Sequence, residues 1–69
     1  MKEIDARGLS CPQPVLLFAQ EAKTGTAEIN VLVDDFAPLE NVSRYAENHG
    51  YAFNVKEADD YSTIVCKKK

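Results

Sequence analysis

Apolar residues in this chain recur at every second position, then at every third or fourth, then at every second again, and the cycle repeats. A strand sets alternate side chains on one face, whereas a helix sets positions i, i+3 and i+4 there. Each change of period therefore marks a change of element. Lys2 to Ala6 alternates, with Ile4 and Ala6 opposite Glu3 and Asp5, and reads as a short half-buried strand. Gly8 permits a turn. Pro12 to Lys23 follows as a helix with Val15, Phe18, Ala19 and Ala22 on one stripe and Leu16 widening it. Gly25 suits the left-handed position just past a helix end.

Glu28 to Val33 alternates again, with Ile29, Val31 and Val33 sharing a face in a β-branched strand. Asp34 and Asp35 are both good N-caps for a second helix, and Pro38 is tolerated in its first turn. Leu39, Val42 and Ala46 supply its stripe, and Gly50 ends it. Tyr51 to Lys56 alternates with Tyr51, Phe53 and Val55 on one side. Ala58-Asp59-Asp60 is a turn, and Tyr61 to Lys67 is the returning strand.

The order β-α-β-α-β-β, with one apolar face per strand, predicts an α/β fold of the two-layer α+β sandwich kind. Its four-stranded mixed sheet carries both helices on one face. The first two strands should be parallel through a right-handed crossover, and the last two antiparallel. No linker, repeat or low-complexity stretch interrupts the chain, so residues 1–69 read as a single domain. A domain of 69 residues buries only about 60% of the surface its unfolded chain exposes. That leaves no room for a deep cleft, so any reactive group should lie near the surface, with a larger partner completing the site.

Composition narrows the chemistry. Eight Lys plus Arg stand against eleven Asp plus Glu, a net charge of −3. The only basic run is Lys67-Lys68-Lys69, so a nucleic-acid partner is disfavoured. Two cysteines and a lone His49 are too few for a disulfide scaffold or a thiolate-rich metal site. No apolar stretch reaches signal-peptide or membrane-span length, which points to a cytoplasmic protein without a membrane partner.

The most unusual local feature is Ser10-Cys11-Pro12-Gln13-Pro14 at the opening of an apolar helix. Pro12 biases Cys11 away from helical angles, making Cys11 the expected cap and Pro12 the first helical position. Both prolines occupy places whose N–H groups lack intrahelical acceptors, so they stiffen the first turn without breaking it. Pro14 cannot donate, which leaves the Gln13 N–H as the donor to a cap sulfur. The helix macrodipole adds partial positive charge there, and such a site favours thiolate. The effect is worth about 0.3–1 kcal/mol when exposed and up to ~2 when partly buried. That is enough to lift the ionised share at pH 7 from roughly 3% to as much as about a third. Arg7 adds to this if it folds over the site. The bland alternative is that Cys11 is a small buried apolar residue.

Asp5-Ala6-Arg7-Gly8-Leu9-Ser10-Cys11-Pro12-Gln13-Pro14-Val15 resembles the signature of the TusA/SirA/YedF family, a Cys-Pro-x-Pro motif after a Gly-Leu turn. The likeness extends along the chain through Asp34-Asp35, the helix running to His49-Gly50, and the final hairpin. Phe36 follows Asp35 where TusA-like members usually carry proline, and with residues 40–47 this places the resemblance closer to the YedF-like branch. The resemblance implies the same two-layer sandwich. It also implies that Cys11 accepts sulfane sulfur from a cysteine desulfurase or other donor protein, carries it as a transient cysteine persulfide with no resident cofactor, and relays it to a downstream acceptor protein. Arg7, Gly8, Pro12, Gln13 and Pro14 would be the supporting loop and helix N-terminus.

Rival readings remain at this level. One is a non-catalytic regulatory or interaction module, with selenium metabolism as a setting. Another is RNA binding by analogy with the C-terminal domain of translation initiation factor three, which conflicts with the acidic charge. Cys66, in step with Ile64, is expected in the core; a resolving thiol for Cys11 is the sharper alternative. His49 reads as a surface residue, and Asp5 with Arg7 as an exposed pair on one strand face.

Overall fold

In the computed structural model, which describes residues 2–9 and 13–69, six elements follow one another. They are β1 (Lys2–Asp5), α1 (Gln13–Lys23), β2 (Glu28–Val33), α2 (Phe36–Asn48), β3 (Tyr51–Glu57) and β4 (Ser62–Lys68). The strands form a single sheet in the order β1-β2-β4-β3. β1 and β2 are parallel, while β4 runs antiparallel to both β2 and β3. The expected fold class and element order are therefore present.

Register explains where the core sits. Ile4 pairs with Val31, Val31 with Ile64, and Ile64 with Val55, so these four side chains form one row across the sheet. Ile29, Cys66 and Phe53 form the next row. Ile29, Val31, Val33, Ile64 and Cys66 are wholly buried under the helices, together with Phe18, Val42 and Ala46. On β3 burial is confined to Tyr51: Phe53 keeps 40% and Val55 37% of its surface exposed. The two helices cover three strands and leave the β3 edge partly bare.

Phe18 fixes α1 to this core. Its ring meets Tyr45 of α2 and Tyr51 of β3 edge-on, at centroid distances of 5.8 and 5.2 Å. Full burial of such a side chain stabilises by about 1.5–3 kcal/mol. The Tyr51 hydroxyl donates to the Thr26 carbonyl at 2.7 Å, so its polar end is satisfied at the core margin. One expectation for α1 fails. Leu16 is 51% exposed and does not widen the stripe; Pro14 is buried instead, and Leu17 packs against the core. Pro14, Phe18 and Ala22 advance by four residues each time, and that line turns Leu16 outward.

Both helices end as their glycines require. Gly25 (φ +84°) follows α1 and Gly50 (φ +86°) follows α2, in the left-handed region where other residues are strained. In the β3–β4 connection the Ala58 N–H donates to the Tyr61 carbonyl at 2.8 Å. β4 then begins at Ser62, one residue later than the pattern indicates.

Candidate functional site

Ser10, Cys11 and Pro12 lie outside the described residues, so the expected Cys11 cap and its Gln13 N–H donor are not described. The described residues frame this segment on either side. On the upstream side the chain leaves β1 through Ala6, whose N–H donates to the Leu32 carbonyl at 2.9 Å. Ala6 is fully buried. Leu9 turns back, donating its N–H to the Ala6 carbonyl at 3.3 Å.

Between them Gly8 adopts φ +79°, and its N–H donates to Asp34 Oδ2 at 3.0 Å across 26 residues of sequence. This bond ties the loop after β1 to the loop after β2. Only one of the two aspartates expected as caps therefore serves α2. Asp35 is the N-cap, its Oδ1 accepting the Phe36 N–H at 2.8 Å; Asp34 holds the Gly8 turn instead. Sequence reasoning missed this cross-link because its partner, Gly8, is 26 residues away. The available signal was two adjacent capping residues in front of a single helix start.

Arg7 and Asp5 form the pair expected from their shared parity. Arg7 Nε and Nη2 donate to the two carboxylate oxygens, each at 2.9 Å, and the Arg7 N–H adds a third bond at 3.2 Å. The guanidinium also lies over the Tyr61 ring, 5.0 Å from its centroid. Hydrogen bonds from Arg7 hold the Asp5 carboxyl at about 2, below its usual 3.8, and the same contact raises the Arg7 pKa. The Arg7 charge is thus shared with a carboxylate. Asp5, Arg7, Gly8, Asp34 and Asp60 line one open hollow at this end of the sheet.

Downstream, α1 starts with exposed Gln13 and buried Pro14. Its first turn carries no acidic side chain, and Lys23 sits in its last turn. The described amino end therefore brings no carboxylate against the positive end of the dipole. Pro14, expected as a stiffener of the loop, also anchors the helix start in the core.

Cys66 is a free thiol, wholly buried on β4. Burial pushes it up to about 11 from 9.0, so it is an inert core residue near neutral pH. That is the favoured sequence reading, and it removes the access a resolving thiol needs. His49 is exposed at the α2 C-cap, its ring stacked on Tyr45 at 3.9 Å. Among the described residues no group of three or more His, Cys, Asp or Glu could hold a metal ion, and no helix is long and apolar enough to cross a membrane.

Known proteins share this fold and much of this sequence. The family described as sulfurtransferase TusA matches residues 2–68. A Methanocaldococcus jannaschii protein named as a candidate sulfur carrier is 39% identical over 75 aligned positions, covering 99% of this chain and 95% of that one. The crystal structure of a SirA-like protein from Desulfitobacterium hafniense matches with a TM-score of 0.88 at 32% identity, over 97% of this chain and 96% of its own. Fold and sequence together define a small SirA-like two-layer domain. The chain belongs to the TusA sulfurtransferase family.

Proposed function

We propose that this protein is a sulfur carrier in which Cys11 holds the cargo as a persulfide between a donor protein, such as a cysteine desulfurase, and an acceptor protein. Family membership over residues 2–68 is the observation that carries this reading. The frame supports it: the β1–α1 loop is tethered at Gly8 by Asp34, and α1 begins without a first-turn carboxylate. An anion at that helix end meets favourable backbone charge.

The Cys11 thiolate attacks the outer sulfur of the donor's persulfide. The donor's sulfur–sulfur bond breaks, the donor cysteine leaves as a thiolate, and a new sulfur–sulfur bond forms on Cys11. An acceptor cysteine thiolate then attacks the outer sulfur, and Cys11 leaves as a thiolate in its turn. Each step is a thiol–persulfide exchange, so no net oxidant or reductant is consumed. Gly8, Pro12 and Pro14 shape and stiffen the loop, the Gln13 N–H and helix end stabilise the thiolate, and Arg7 orders the approach through Asp5.

Incubation with a cysteine desulfurase and cysteine should add the mass of one sulfur atom, localised to Cys11 by peptide mass spectrometry. Cys11→Ser should keep the fold and lose the increment. A Cys11→Ser protein that still loads sulfur would overturn the assignment.

A further inference from the structure

We infer that the groove between the first half of α2 and the β3–β4 hairpin docks a basic, amphipathic segment of the protein with which this carrier exchanges sulfur. The inference rests on the carrier reading for the partner's role, but on separate residues for its site. Phe36, Leu39 and Val55 line both of the hollows that meet here, joined by Phe53 at one end and Tyr61 at the other. Phe36 is 70% exposed, and Phe53 and Val55 are the side chains the helices fail to cover. An apolar floor rimmed by polar groups is a surface that an amphipathic partner segment can cover.

The rim states what kind of segment fits. Around the hairpin end stand Asp34, Asp35, Glu57, Asp59 and Asp60, and no Lys or Arg lines that hollow of about 540 Å³. Glu40 and Glu47 continue the acidic edge along α2, where the one cation, Arg44, is already paired with Glu40 at 3.4 Å. Seven of the chain's eleven carboxylates therefore border an apolar floor. Charge complementarity selects a partner segment with one or two apolar anchors flanked by Lys or Arg.

The groove is also continuous with the site. Asp34, at its end, accepts the Gly8 N–H and lines the neighbouring hollow with Arg7. Gly8 is three residues before Cys11 in the chain. A segment seated in the groove is held beside Gly8, at the tethered start of the chain segment that leads to Cys11.

Two measurements test this. In the first, isotope-labelled protein, wild type and Cys11→Ser alike, is titrated with a synthetic Leu/Lys amphipathic peptide and followed by amide NMR. Saturable shifts should centre on Phe36, Leu39, Phe53 and Val55 and weaken with added salt. They should weaken at least tenfold in Glu57→Lys/Asp59→Lys, whose exposed positions at the hairpin end line the groove but not the hollow beside Arg7 and leave the fold intact. A Leu/Glu counterpart peptide should not bind. In the second, the double variant should raise the carrier concentration for half-maximal loading by a cysteine desulfurase while leaving the maximal rate unchanged. Shifts centred on the open sheet face, equal binding of the acidic peptide, concentration-dependent self-association through the groove, or a double variant matching wild type would each overturn the inference. Loss of loading in Cys11→Ser with the groove shifts intact keeps the two claims apart. If the wild type itself takes no sulfur, the carrier reading fails and the titration alone decides the groove.

Discussion

At the start of α2 the Asp35 carboxylate accepts the first helical N–H at 2.8 Å. At the start of α1 no acidic side chain stands in the first turn, and the residue two places before Gln13 is a cysteine. Both helices pack into the same core, and both follow a strand that feeds them through a short loop. They differ in side-chain charge: α2 has a carboxylate at its cap, and the described first turn of α1 has none. A helix start closed by its own carboxylate contributes stability and has nothing left to offer a reactant. A start without one leaves its electrostatic capacity for a transient anion, as the proposed carrier role requires.

Exchanging the residues at the two starts should break the symmetry of this comparison in opposite directions. Cys11→Ser should abolish sulfur loading while the thermal melt stays near wild type. Asp35→Ala should do the reverse: a loss of about 1 kcal/mol of stability by urea unfolding, with the Cys11 alkylation rate unchanged. If Asp35→Ala slowed that reaction as strongly as it lowered stability, the division of labour would collapse.

A finer change adds a carboxylate where α1 has none. Gln13→Glu should stabilise the helix slightly and slow Cys11 alkylation at pH 7 by roughly two- to threefold. The ionised fraction falls, and the greater nucleophilicity of a more basic thiolate offsets part of the loss. Monitoring the rate against pH should show the profile displaced towards higher pH.

The smallest effect concerns the neighbouring carboxylate at Asp5. Its folded value of about 2 lies below its usual 3.8, so its contribution to stability is complete above about pH 4 and fades as pH falls towards 2. Arg7→Ala should bring the Asp5 titration, read from its carboxyl carbon by NMR, back towards 3.8. Because both groups are exposed, stability at pH 7 should barely change.

How far all this was legible in the sequence depended on whether the cause was local. The strand from Glu28 to Val33 follows from three β-branched residues at alternate positions, and the turn at Gly25 from a glycine after a helical run. Cys66 fell in the core because it shares parity with Ile64. Leu16 was misjudged because two adjacent leucines can each join an apolar stripe, and the helix rotation set by Pro14 and Phe18 decides between them. The groove was hidden for another reason. Tyr51, Phe53 and Val55 share one face, yet only Tyr51 is buried, since β3 lies at the sheet edge. Alternation shows which side chains point the same way and is blind to strand order. The doubled aspartate hinted that Asp34 had another task, but its partner Gly8 was out of reach, because the bond joins loops that become neighbours only once β1 and β2 pair.

The strand order has a temporal consequence. β4 follows every other strand in the chain yet lies between β2 and β3, and Ile64 sits against both Val31 and Val55. On the ribosome, α1 and α2 have no finished surface to settle on until residues 62–68 emerge. Folding should therefore be abrupt and late, with nascent chains shorter than this remaining sensitive to protease.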